Sequence, residues 1–198
     1  VPALDLNGQE GIILANTRMN PGGTVQSNGG LEITSAITNA KGLTIADGLA
    51  GYTGGFVVFS GTSANTYSGT TTVNGAILRL NKRISASSGN KDGTFHSGEN
   101  PNPEDTGEDA LNVAAIPGDL VLNLGAIYDS GNQIANNANL IIHSGTFFLN
   151  GSNNSGSASN ETIKSLTMTG GGVSSGSGNG NTFNVNGNLD LSGGSISL

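Results

Sequence analysis

The chain has 198 residues, a formal net charge of −7 and no cysteine, and 33 of its residues are glycine. Glycine far exceeds its usual share of roughly 7%, while Ala, Leu, Glu, Lys and Arg are too scarce for a coiled coil or a helical bundle. Seven basic residues are too few for the clustered Lys and Arg that bind nucleic acid. The absence of cysteine excludes disulfides, thiolate metal sites and a cysteine nucleophile.

The sequence contains no candidate membrane span, because no stretch approaches the ~18 apolar residues that a spanning helix needs. We therefore expect no membrane insertion by this segment. The first five residues show neither the basic start nor the apolar run of a signal peptide. The chain is therefore interpreted as a mature or excised piece.

Short apolar runs interrupted by glycine recur along the chain, and each is predicted to form a strand. The runs are rich in Val, Ile, Thr and Phe, and Gly or Asn brackets each of them. No window of helical length has apolar residues at helical spacing without an intervening Gly or Asn. The sequence therefore predicts an all-β protein with no significant helix. In chain order, the predicted strand regions are residues 24–33, 73–80, 122–128, 141–149 and 189–198.

The spacing of these regions, ~20–25 residues, fits either an antiparallel sandwich or a β-solenoid. Hairpins prefer two-residue Asn-Gly or Asp-Gly links between longer strands, whereas the runs here are short and all turns are small and polar. Gly and Asn also accept the positive φ that solenoid corners require. We therefore predict that residues 1–198 form a single β-solenoid, with about nine rungs at ~22 residues per rung.

Residues 85–110 differ from the rest of the chain, because they hold six of its fourteen acidic residues and two prolines. A Ca²⁺ loop is one interpretation, since hard cations prefer several carboxylate oxygens. The spacing of an EF-hand is missing, so we favour a solvated loop insertion between two rungs. No catalytic or cofactor-binding residue is predicted. The weak Ca²⁺ candidates are Asp92, Glu104, Asp105, Glu108 and Asp109.

The histidines and the aromatic residues give little sign of a site. His96 and His143 are far apart in the chain, and we do not expect them to share a metal ion. A sugar-stacking surface and a role in the core are both open to the aromatic residues. We favour the core for this set, which comprises Tyr52, Phe56, Phe59 and Tyr67.

Residues 61–81 carry the most specific pattern, in which Asn-Thr-Tyr-Ser-Gly is followed closely by Thr-Thr-Val-Asn-Gly. This segment closely resembles the autotransporter-associated β-strand repeat, also called the passenger-associated transport repeat. Thr70 and Ala76 stand where that motif has glycine. A weaker likeness extends over most of residues 31–198. The resemblance implies a right-handed parallel β-helix in a passenger protein exported by Gram-negative or related bacteria, and it carries no catalytic residues.

We expect a structural rod or stalk segment, extracellular or on the bacterial outer surface, and not an enzyme. Its open ends are expected to pair with further rungs or with identical subunits, which would build a fibre. One alternative is an adhesive module for host-cell or matrix glycans, which an exposed aromatic or acidic patch would favour. A β-helical polysaccharide lyase or hydrolase is the other alternative, and a groove with convergent carboxylates would favour it.

Overall fold

The computed structural model describes residues 2–15, 17–19, 25–28, 30–47, 55–82, 113–149, 159–175 and 181–198. These residues form strands and connecting turns, and they contain no helix. The strands are β1 (Leu4–Asp5), β2 (Glu10–Ala15), β3 (Thr17–Met19), β4 (Val25–Asn28), β5 (Gly30–Ile33), β6 (Ile37–Thr38), β7 (Gly42–Asp47), β8 (Phe56–Gly61), β9 (Thr70–Lys82), β10 (Leu120–Asp129), β11 (Asn139–Ile142), β12 (Thr146–Leu149), β13 (Asn160–Ile163), β14 (Ser165–Ser175), β15 (Thr182–Val185) and β16 (Leu189–Ser197).

The strands stack in parallel layers, and each layer is called a level. The main sheet runs from β2 through β7, β9, β10 and the β11–β12 pair to β14 and β16, so seven levels can be followed through the described residues. Among these residues only β3 and β4 pair in the antiparallel sense. The prediction of an all-β protein built mainly from parallel strands is confirmed. The number of about nine rungs stays a prediction.

A column of glycines bends the levels of the main sheet at the same place. Gly75, Gly125, Gly145, Gly171 and Gly194 all have positive φ, between 69° and 108°. A Cβ atom on Gly125 would lie 2.2 Å from the carbonyl oxygen of Ala76, and one on Gly145 would lie 2.3 Å from that of Gly125. Only glycine fits such a position, because both the conformation and the space exclude a side chain. The predicted use of glycine at the bends is confirmed.

Two files of apolar side chains run through the interior, with one residue from each level. Alternate residues of each strand point inward, so in-register pairing places each apolar residue on the one before it. Fully burying one such side chain contributes roughly 1.5–3 kcal/mol. The first file contains Ile13, Ile45, Val73, Leu122, Ile142, Met168 and Leu191. The second file contains Leu31, Val57, Leu78, Ile127, Phe147, Val173 and Ile196.

A third row of shorter strands lies along the remaining side of the core. β1 pairs with β6, Ile116 forms a parallel bridge with Ile134, and β13 pairs with β15. Backbone hydrogen bonds link these pieces, for example from the amide of Thr66 to the carbonyl of Ile37 (2.9 Å). Short parallel pairings therefore run beside the main sheet among the described residues.

Candidate functional site

The motif at residues 61–81 ties neighbouring levels together through buried polar groups. Asn65 is 2% exposed. Its Oδ1 accepts the amide hydrogen of Ile37 at 2.8 Å, and its Nδ2 donates to the carbonyl of Ala115 at 2.6 Å. Tyr67 is also buried, and its hydroxyl hydrogen-bonds to that of Thr71. Burial raises the pKa of Tyr67, so this phenol stays neutral and serves the core.

Half-buried aromatic side chains and one arginine form a separate row on the outer side of the sheet. The guanidinium of Arg79 lies 5.0 Å from the ring centroid of Phe56 and 5.8 Å from that of Tyr128. The rings of Tyr128 and Phe148 stack at 4.8 Å with 16° between their planes. Tyr128 is contacted from both neighbouring strands, by Arg79 and by Phe148, whereas a sugar-binding platform needs a free ring face. Phe56 therefore stacks on the outside, in contrast to the buried Phe59, and Tyr52 lies outside the described residues.

The last level, β16, leaves the core files open. Leu189, Leu191 and Ile196 are 55%, 50% and 40% exposed. Their partners on β14, which are Leu166, Met168 and Val173, are at most 1% exposed. Among the described residues β16 pairs only with β14. This edge therefore offers both unpaired backbone groups and uncovered apolar side chains.

The first level is open to a smaller extent. Leu4 and Leu31 are 42% and 44% exposed, although their partners Ile37 and Val57 are fully buried. The described part of the stack therefore exposes apolar core positions at both of its ends.

A pair of buried carboxyl groups lies where β10, the turn at residues 130–134 and β13 meet. Asp129 and Glu161 are both fully buried. Glu161 Oε2 accepts the amide hydrogens of Gln133 (2.9 Å) and Ile134 (3.3 Å), and its Oε1 accepts that of Thr162 (3.0 Å). The two bonds from Gln133 and Ile134 fasten the turn at residues 130–134 to β13, and the bond from Thr162 lies within β13.

Asp129 has fewer donors than Glu161. Its Oδ1 accepts the amide hydrogen of Gly131 at 3.0 Å, whereas its Oδ2 is buried without an N–H donor. The two carboxyl groups are close enough to hydrogen-bond to each other. Because neither side chain carries a donor when ionised, that bond requires a carboxyl proton.

Burial is the main influence on the acidity of both groups. It raises the pKa of Asp129 to about 6, against smaller lowering effects of the hydrogen bonds from Glu161 and Gly131. Burial and the neighbouring charge of Asp129 raise the pKa of Glu161 well above its ordinary value. Two adjacent buried carboxyl groups cannot both ionise easily. The pair therefore retains one proton at neutral pH.

Neither Asp129 nor Glu161 is among the candidate site residues that the sequence indicates. The structure brings the two carboxyl groups together in the protein interior, since no part of either side chain is exposed. A polymer substrate therefore has no access to the two carboxyl groups. The contacts of the two carboxyl groups are with backbone amides of the protein itself.

Lys82, the last residue of β9, is buried as well. Its side chain is buried, and its Nζ donates to the carbonyl oxygens of Ser35 (3.0 Å) and Ser60 (2.9 Å). Burial lowers its pKa to about 8. The main chain of Lys82 also exchanges two hydrogen bonds with the side-chain amide of Gln133, at 2.7 and 2.8 Å. Lys82 therefore joins three levels.

The predicted Ca²⁺ candidates, all within residues 92–109, lie outside the described residues, as does His96. His143 is exposed, with its Nδ1 2.9 Å from the hydroxyl of Thr169. The described part of the chain holds no group of three or more His, Asp or Glu side chains placed to bind a metal ion. An open concavity of about 520 Å³ lies beside Asn7, Asn39 and Lys41.

No protein-family model, curated protein or solved structure matches the chain. The described residues also contain no helix long and apolar enough to cross a membrane.

Proposed function

We propose that the chain is a structural rod segment of an exported bacterial protein, on the outer surface or outside the cell. In this proposal it is a right-handed parallel β-solenoid related to the autotransporter-associated β-strand repeat. The observation that carries the proposal is the pair of apolar files that run through seven levels and end uncovered at Leu191 and Ile196. A core that gains one residue per file with each level suits a molecule that extends in one direction.

The hydrogen bonding between levels supports a mechanical role. β9 pairs with β7 and β8 on one side and with β10 on the other, so an interior strand is held along its length by two neighbours. Surface side chains repeat this pattern, since Asn123 donates to Asn74 at 2.7 Å and Asn139 donates to Asp119 at 3.0 Å. A load along the rod is therefore shared by many bonds at every level.

The open edges support addition of further levels at the ends. In the isolated chain, we propose that the last level of one copy docks on the first level of the next, in parallel register. Such head-to-tail contacts use two different surfaces and do not close, so they produce filaments. Within a longer chain, further rungs would occupy the same edges.

The sealed carboxyl pair and the covered aromatic rings favour the rod over the two alternatives. A polysaccharide hydrolase needs carboxylates that reach a groove, and Asp129 and Glu161 reach none. An adhesive module would use free ring faces, and those of Arg79's partners Phe56 and Tyr128 are partly covered by its guanidinium.

The experiment is light scattering after size exclusion, with electron microscopy, over a hundredfold range of protein concentration. Wild-type protein is expected to form filaments whose length grows with concentration. Leu191→Lys is expected to abolish them, because it places a charge on the open core file. Leu124→Lys is the matched control, since Leu124 is equally exposed, at 50%, but lies on the side of the stack.

A monodisperse wild-type monomer at all concentrations would contradict end-to-end assembly, as would equal inhibition by the two lysine variants. Oriented filaments should also give a meridional reflection near ~4.8 Å, the spacing of hydrogen-bonded strands. A reflection at this spacing perpendicular to the filament axis would show that the levels do not stack along the rod.

A further inference from the structure

The buried carboxyl pair joins segments that belong to two different levels. Asp129 is the last residue of β10, and Glu161 lies on β13, 32 positions later in the chain. The turn between them contributes the amides of Gly131, Gln133 and Ile134 to the pair. The contact between this turn and β13 therefore depends on which oxygens of the pair can accept hydrogen bonds.

The distribution of donors places the shared proton. Glu161 receives three backbone N–H bonds, which favour its ionised form. Asp129 receives one, and its Oδ2 has no N–H donor. One proton is therefore shared between Asp129 Oδ2 and Glu161, where it makes the hydrogen bond between the two carboxyl groups. In this state every oxygen of the pair is satisfied and the pair carries one negative charge.

We propose that Asp129 and Glu161 form a proton-dependent latch, which holds the turn at residues 130–134 against β13 while one proton is shared and releases it when both carboxyl groups ionise. Loss of the proton removes the only hydrogen bond of Asp129 Oδ2 and places two negative charges in contact inside the protein. Water must then reach the pair, and it can do so only if the bonds from the turn to Glu161 open.

The surroundings offer no ready compensation for the second charge. On β9, Lys82 directs its Nζ to the carbonyls of Ser35 and Ser60. The register partner of Asp129 on β12 is Leu149, and that of Glu161 on β15 is Phe183. Lys164, three residues beyond Glu161, is exposed. The charge that acts on Glu161 is that of Asp129 itself.

The release is local. Ile127 lies two residues before Asp129 in a file that is covered on both sides by Leu78 and Phe147, and it does not depend on the pair. The amides of Gln133, Ile134 and Thr162 should therefore lose protection while the main sheet keeps its own. This behaviour is independent of whether the chain serves as a rod.

The test is hydrogen exchange of single amides, expressed as protection factors from pH 5 to pH 9. In wild-type protein, protection at Gln133, Ile134 and Thr162 should fall at least tenfold at the alkaline end, while protection at Ile127 changes little. Asp129→Asn should remove this fall, because its Oδ1 still accepts from Gly131 and its Nδ2 replaces the proton as donor to Glu161. Asp190→Asn, at an exposed acid, is the control and should behave as wild type.

Constant protection in the wild-type protein, or an equal fall in Asp129→Asn, would overturn the latch. A second measurement covers the case in which Asp129→Asn does not fold. Side-chain carbonyl chemical shifts of wild-type Asp129 and Glu161 should show one ionisation at mildly acidic pH and the next above neutrality. Two ordinary ionisations near pH 4 would equally overturn it.

Discussion

The levels formed by β10 and by β16 share the same bent backbone, but their apolar side chains differ in solvent exposure. Both bend at a glycine with positive φ, Gly125 at 108° and Gly194 at 90°. In the second apolar file, β10 supplies Ile127, which is fully buried, and β16 supplies Ile196, which is 40% exposed. The difference arises because β11 and β12 cover β10, whereas no strand covers the far side of β16 among the described residues. A level of this protein is therefore stabilised by its neighbours more than by its own sequence.

The largest expected effect uses this matched pair of isoleucines. Ile127→Ala should lower the free energy of unfolding by about 2–5 kcal/mol, because it leaves a cavity between Leu78 and Phe147. Ile196→Ala should lower it by less than about 1 kcal/mol, because one side of Ile196 is already open to water. Urea denaturation of dilute monomer measures both. Equal losses would break the comparison between the two levels.

The bends allow a second test of the same comparison. Gly125→Ala should destabilise the protein by about 1–3 kcal/mol from backbone strain alone, and contact with the carbonyl of Ala76 adds to this. Gly194→Ala meets a similar contact, 2.7 Å from the carbonyl of Gly171. It should nevertheless cost less, because β16 can shift away into solvent whereas β10 is held by the level above. Thermal and urea unfolding of the two variants compare them. A greater loss for Gly194→Ala would mean that the last level is as constrained as an interior one.

The smallest expected effect concerns pH, and it distinguishes the buried acid of β10 from the exposed acid of β16. The pKa of Asp129 is raised from 3.8 to about 6 in the folded chain. The folded chain therefore binds more protons than the unfolded chain in that window, and its stability falls as pH rises through it. The slope is at most about 1.4 kcal/mol per pH unit for this one group.

Asp129→Asn should flatten this part of the stability profile, and Asp190→Asn should leave it as in the wild-type protein. Urea denaturation at half-unit steps from pH 4 to pH 7 provides the measurement. An unchanged slope in Asp129→Asn would assign the pH dependence to other acids.

The sequence was informative about local structure. Its short apolar runs, its glycines at the bends and the absence of helical spacing predicted parallel strands correctly, since these features act within a few residues. Asn39 and Asn132 also adopt positive φ, at 55° and 47°, as predicted for asparagine at corners. The buried Asn65 shows that one asparagine of the motif also serves as a bridge between levels.

The pairing of levels was less predictable, because the spacing between them is irregular. Asp119 contacts Asn139 at an offset of 20 residues, Asn139 contacts Ser165 at 26, and Asn74 contacts Asn123 at 49. An average of ~22 residues per rung hides this variation. The pair of Asp129 and Glu161 could not be found from the sequence for this reason, since their contact depends on the lengths of the intervening turns. The predicted insertion at 85–110 and its Ca²⁺ candidates stay predictions.

The parallel direction of the strands gives the two ends of the stack different chemistry. A filament made of such units has a polarity, and a molecule that fits only one end would act as a chain terminator. A copy shortened by β16 would still present Leu31 to a growing tip but would offer Val173 where Ile196 had been. Mixing such copies with the intact chain would set filament length by their ratio.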